Sequence, residues 1–438
     1  QVSAWPAGTV NIAVSGESSA GNPVSITHPV TVDLTPAAIT INTIATDDVI
    51  NAAEKGADLI LSGTTTNVEP GQTVTVTFGG KNYTASVASD GSWTATVPAA
   101  DLAALPDGSA SAQASVSNIN GNSASAVHSY SVDSSAPTII INTVASDNIV
   151  NASEADAGVT VSGSTTAEVG QIVTVTLNSP TVQTYQATVQ ADGSWSINIP
   201  AADLAALTDG SHTLTATVND KAGNPASTTH NLAVDLTVPV LTINTIAGDD
   251  IINATEHGQA LVISGSSTGG EAGDVVTVTL NSKTYTTTLD ASGNWSVGVP
   301  AADVTALGSG PQTVTATVTD AAGNSDSETH TVTVNLTAPT IGINIIATDD
   351  IINASEKGAD LQISGTSNQP AGTTITVTLN GQNYTATTDA SGNWSTTVPA
   401  SAVGALGEAS YTVTANVTDS AGNSNSASHN VQVNTALP

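Results

Sequence analysis

Four phrases recur at intervals of about 100 residues, each built around one Trp. They are SDGSWTATVPAADLAAL at Trp93, ADGSWSINIPAADLAAL at Trp195, ASGNWSVGVPAADVTAL at Trp295 and ASGNWSTTVPASAVGAL at Trp394. A second phrase closes the later repeats: TVNDKAGNPASTTHNLAVD, TVTDAAGNSDSETHTVTVN and NVTDSAGNSNSASHNVQVN. Solenoid units run to about 20–50 residues, so a repeat this long is a whole domain. Pro-containing joints at 33–37, 133–137, 235–239 and 335–339 mark the boundaries. The expected domains are 35–134, 135–236, 237–336 and 337–438, and residues 1–34 match only the C-terminal part of a repeat.

Within a repeat, apolar and polar residues alternate. Val74, Val76 and Phe78 share one face of TVTVTF; Tyr83, Ala85 and Val87 share one in the next run; Trp93, Ala95 and Val97 follow. Period two over short runs, with Gly-containing turns between them, means antiparallel sheets with one wet face. The first complete repeat is expected to hold seven strands, near 38–45, 59–65, 73–79, 82–88, 92–98, 109–118 and 123–132. That pattern predicts an all-β chain of tandem seven-stranded immunoglobulin-like β-sandwiches arranged as an elongated rod. The PAADLAAL stretch is expected to add one helical turn.

Charge narrows the partners. The chain has 37 acids against five basic residues, all Lys, for a net charge of −32. Nucleic acid and anionic membranes both need cationic contacts, so neither is an expected partner. There is no Cys, so stability must come from the core or from bound ions. No signal peptide and no run of about 18 apolar residues is present, which excludes insertion by a membrane helix. The opening QVSAWPAG reads as part of something longer.

The acids form a pattern of their own. TDDVINAAEKGADL (46–59) returns as SDNIVNASEADAGV (146–159), GDDIINATEHGQAL (248–261) and TDDIINASEKGADL (348–361). The retained acids and amides are Asp47, Asp48, Asn51 and Glu54; Asp147, Asn151 and Glu154; Asp249, Asp250, Asn253 and Glu256; Asp349, Asp350, Asn353 and Glu356. If strands alternate up and down, each phrase lies at the end of its domain that faces the next. Asp33, Asp133 and Asp235 stand at the linkers, and Asp220, Asp320 and Asp419 open the loops opposite them. Ser18, Asn118 and Asn335 break the pattern. Converging carboxylates with few bases nearby repel one another unless a cation intervenes. Ca²⁺ is the expected cofactor, because it takes six to eight oxygens in irregular geometry. Without Cys or a dense His cluster, Zn²⁺ is disfavoured. Each acid taken singly could equally cap a turn or lie solvated. His128, His230, His330 and His429 read as strand side chains rather than ligands. No G-x-S-x-G elbow or triad spacing occurs, so no enzyme is expected.

TDDVINAAEKGADLILSGTT, GSWTATVPAADLAALPDG and the TDAAGN loop resemble the bacterial Ig-like repeats of giant surface adhesins exported by type I secretion. These are the Bap-type biofilm-associated proteins and the large non-fimbrial adhesins. The resemblance covers nearly the whole chain. It implies a secreted, cell-surface stalk with Ca²⁺ near its joints, in adhesion, biofilm formation and virulence. Its expected partners are calcium ions and neighbouring Ig-like domains, with host-cell or matrix receptors met through other regions. The alternative is that the repeats themselves hold a glycan or protein receptor.

Overall fold

The computed structural model describes residues 2–178 and 181–436. The outermost residues of the first and last expected domains, 1 and 437–438, lie outside the described residues, as do 179 and 180. The chain divides into two compact units, Gln1–Val150 with Glu154–Val234, and Asn151–Ser153 with Asp235–Pro438.

The first unit opens with a hairpin of β1 (Gly8–Glu17) and β2 (Pro23–Val32). The first complete repeat follows as β3 (Ala38–Ile39), β4 (Val49–Ile50), α1 (Ala52–Lys55), β5 (Leu59–Thr66), β6 (Thr73–Phe78), β7 (Lys81–Ser86), β8 (Ser92–Val97), α2 (Ala99–Leu102), β9 (Gly108–Ser117) and β10 (Ser123–Val132). A three-stranded sheet in the order β3-β5-β8 accompanies a five-stranded one, β4-β10-β9-β6-β7. The second repeat builds the same pair of sheets from strands between Ile139 and Asp235. In the second unit, strands from Val240 to Val334 and from Ile341 to Val433 build two further pairs.

The first strand departs from expectation. It does not run 38–45 as one ladder. Ala38–Ile39 pairs antiparallel with β5, and Val49–Ile50 pairs parallel with β10 in the other sheet. The chain crosses between the sheets at 45–48, where Ala45, Thr46 and Asp48 take φ of 51°, 75° and 66°. Asp48 N–H closes this turn on Ile44 O at 2.7 Å. Ile41 and Ile44 are both buried, so the spacing there is three rather than two. The acidic phrase therefore includes a strand and a short helix.

Each core is organised by a Trp lying across a Gly. Trp93 stands opposite Gly63 on β5. A Cβ at Gly63 would meet Thr40 O at 1.9 Å and the Trp93 ring at 2.7 Å. The same pair recurs as Gly163–Trp195, Gly265–Trp295 and Gly365–Trp394. The four Trp are 1–3% exposed. Their Nε1 atoms are buried without a hydrogen-bond partner, so packing rather than polarity holds them.

Candidate metal-binding joints

The recurring phrase is first a piece of backbone chemistry. Asp47 Oδ1 accepts from Val49 N–H at 3.0 Å. Asp48 Oδ1 accepts from Ile44 N–H at 2.8 Å and from His128 Nε2 at 2.6 Å. Asn51 Oδ1 accepts from Glu54 N–H at 3.0 Å while Glu54 Oε2 accepts from Asn51 N–H at 3.1 Å, a capping box on α1. Asp249, Asp250, Asn253 and Glu256 repeat these bonds, with His330 as the ring partner. Asp349, Asp350, Asn353 and Glu356 do so with His429. In the second repeat Asp147 caps Ile149 N–H, and Asn148 replaces the second Asp as partner of Val144 N–H and His230. Glu154 lies in the first turn of the helix Ala152–Ala157. The recurring His are strand residues whose rings steady the crossing turn.

Asp48, Asp250 and Asp350 are thus engaged within their own repeats. Their carboxyls are held below the usual range, first by the Ile44, Ile246 and Ile346 N–H groups and then by the His rings. Asp33, Asp133 and Asp235 cap the linker two residues on, at Thr35, Ser135 and Thr237. Thr35 and then Asn120 lower the Asp33 carboxyl as well. Asp220 Oδ1 accepts from Asn224 N–H at 2.8 Å, Asp320 from Asn324 N–H at 2.8 Å and Asp419 from Asn423 N–H at 2.8 Å.

Within the first unit the linker of the first complete repeat meets the loop of the second through Asn224. This side chain is 2% exposed. Its Nδ2 donates to Asp133 O at 2.9 Å, and its Oδ1 accepts from Ala52 N–H, at the start of α1, at 2.8 Å. Within the second unit Asn423 does the same, donating to Asn335 O at 2.9 Å and accepting from Ala254 N–H at 2.8 Å. Asn151 and Ala152, which group with that unit, bond to Ala322 O at 3.1 Å and to Asn324 Oδ1 at 2.8 Å. Sequence reasoning missed Asn224, Asn324 and Asn423, although the AGN phrase displayed them. Asn reads as a turn residue until its partner is seen.

Beside Asn224 lies a cavity of about 720 Å³ lined by Asp47, Asp107, Asp133 and Glu168, with Lys221 among them. The Ser134 hydroxyl, followed by Ser135, lowers the Asp107 carboxyl. The acidic donors are all oxygen, which suits a hard cation. Among the described residues, no three His, Cys, Asp or Glu side chains converge into a group that could hold a metal. The structure thus brings Asp47 and Asp133 to one cavity, with Asp107 and Glu168 as additions unforeseen from sequence.

A family model for the bacterial Ig-like domain matches residues 137–236, 244–336 and 344–435. Among solved structures, a Ca²⁺-stabilized adhesin that helps an Antarctic bacterium reach out and bind ice is 37% identical, over 92% of this chain and 100% of its own, with a TM-score of 0.38. A 1.5-MDa bacterial ice-binding adhesin is 36% identical over 70% of this chain and 100% of that one, TM-score 0.37. A tetra-tandem repeat from the extending region of a large adhesion protein is 27% identical over 91% and 100%, TM-score 0.36. No curated protein matches the chain. The family match spans well over half of the sequence, and this chain belongs to the bacterial Ig-like domain family.

Proposed function

We propose that the chain is a structural stalk segment of a secreted bacterial surface adhesin, serving adhesion and biofilm formation, with Ca²⁺ stiffening its joints. The observation that carries this is where charge lies. In the first complete repeat, the solvent-facing positions of β6, β7, β9 and β10 are mostly Ser and Thr and include no acid; Lys81 at the start of β7 is their one charge. The acids stand at the ends, and four of them line the cavity beside Asn224. No three of these acids converge as they stand, so a cation there would have to draw Asp47, Asp107, Asp133 and Glu168 together, neutralising their charge and bridging the repeats. The other linker and loop acids, Asp33, Asp220, Asp235, Asp320 and Asp419, belong to the same proposal at their own joints.

The Ca²⁺-stabilized relative supports this reading. The repeats act as separate domains at 1–34, 35–134, 135–236, 237–336 and 337–438, and carry out no catalysis. Receptor binding through aromatic side chains is not favoured, since the four repeat Trp are buried. Among the described residues, no helix is long and apolar enough to cross a membrane. Calorimetric titration with Ca²⁺ tests the proposal. Heat of binding and a raised melting temperature are expected at millimolar Ca²⁺, since extracellular modules bind at about 10⁻⁴–10⁻³ M. Absence of both would refute the calcium half of the reading and leave the stalk.

A further inference from the structure

Asn120 and Asn380 are each followed directly by Gly. Without a Cβ on the second residue, its backbone nitrogen is open to the Asn side chain. We propose that both are sites of spontaneous deamidation, fast at Asn380 and held back at Asn120 by its bond to Asp33. In the reaction the Gly nitrogen gives up its proton to water and attacks Asn Cγ. The bond from Cγ to the side-chain nitrogen breaks, and ammonia leaves. Water then opens the resulting five-membered imide at either carbonyl, giving Asp or iso-Asp. One amide and one water become one carboxylate and one ammonium ion; nothing is oxidised or reduced.

The two sites differ in what restrains them. Asn380 and Gly381 form the exposed turn between strands Thr374–Leu379 and Gln382–Thr387, with φ of 47° and 74°. Among the described residues, neither the Asn380 side chain nor Gly381 N–H has a hydrogen-bond partner. Asn120 is exposed too, but three bonds hold its dipeptide. Asn120 Nδ2 donates to Asp33 Oδ2 at 2.7 Å, Asn120 N–H to Asn118 Oδ1 at 3.2 Å, and Gly121 N–H to Asn118 O at 3.0 Å. The amide that must react is tied to the linker after β2, and the nitrogen that must attack is tied within its own turn. Conversion at Asn120 therefore requires the contact with Asp33 to open. Its product is a carboxylate facing Asp33, a like-charge pair in place of a hydrogen bond. Conversion at position 120 thus marks chains in which that contact has opened, and a like-charge pair then disfavours its return.

This inference does not rest on calcium, and the test is run with chelator present. The full chain is aged in mildly alkaline buffer, and conversion at each Asn is followed by peptide mass spectrometry. Asn281–Ser282, the matching exposed turn of the third repeat, is the internal reference. Asn380 should convert first, ahead of Asn281 and Asn120. Asp33→Ala should speed conversion at Asn120 about tenfold, the scale of one lost hydrogen bond to a charged group, and leave Asn380 unchanged. Asp33→Asn, which keeps an acceptor oxygen, should speed it less. Circular dichroism of both variants checks that the fold persists. Conversion of Asn380 no faster than Asn281 would overturn the site. A rate at Asn120 unmoved by Asp33→Ala would overturn the restraint.

Discussion

Gly63 and Trp93 act as one unit at the scale of single residues. The ring occupies the space a Cβ would need, and Thr40 O closes it from the other side. Trp93→Ala should cost its domain about 3–5 kcal/mol, because a ring-sized cavity opens under a buried sheet. Gly63→Ala should cost about 1–3 kcal/mol or more by forcing the ring and the first strand apart. Chemical denaturation of the two variants measures both, and weak quenching of Trp fluorescence by a water-soluble quencher should accompany the native state. Asp48 yields a different prediction. Ile44 N–H and His128 hold its carboxyl below the ordinary 3.8, so the folded chain binds that proton less readily than the unfolded one. Its stabilisation is complete above the ordinary carboxylate range and is lost as pH falls through the lower folded value. Asp48→Asn, the residue that position 148 already carries, should flatten the acid limb of stability against pH for the first repeat. A limb as steep as that of the wild type would show that Asp48 does not contribute to it.

Among the elements, the short helix α1 and the AGN loop of the following repeat hold one another. Four residues cannot hold a helix in water by propensity. Asn51 and Glu54 supply the cap at one end, and Lys55 reaches Leu105 O and Ser134 Oγ at the other. Ala52 N–H lies at the start of the same helix and finds its acceptor on Asn224 of the following repeat. Asn224→Ala should leave Ala52 N–H and Asp133 O without that side chain. The expected loss is about 1–3 kcal/mol, the scale for stranding a buried polar group. Thermal unfolding gives the magnitude. Calcium-free small-angle scattering on the fragment 35–236 should show a wider spread of dimensions in the variant than in the parent.

For the whole molecule, a net charge of −32 over 438 residues makes self-repulsion a standing term, and its placement at domain ends puts that term on the joints. The first, third and fourth complete repeats each have their own packed core, so removing cations should leave those sheets intact. Chelation should therefore lower the maximum dimension in scattering while the β signal in circular dichroism persists. A collapse of both would make Ca²⁺ a folding cofactor instead. The Asn-mediated bonds set a limit on the effect, because Asn224 and Asn423 bridge their joints without any metal. Added salt should narrow the difference between chelated and calcium-loaded chains, since screening acts on exposed carboxylates.

The repeat, the sandwich class, the inward Trp and most strand limits were legible in the sequence, because alternation and turn chemistry are local properties of neighbouring residues. β6, β8 and β10 lie within a residue of where the pattern of Val, Trp and Ser put them. The acidic phrase was legible as a recurring acid pattern but not in its roles. Asp48 meets a His 80 residues away, and Ala52 meets an Asn 172 residues away. The crossing of the first strand at 45–48 belongs with these. Ile41 and Ile44 leave the period of two because they fill space between the sheets, and that space exists only once both are assembled. A carboxylate's spacing along the chain shows that it can accept bonds; which donors it accepts from depends on what folding brings within 3 Å, and only the tertiary structure decides that.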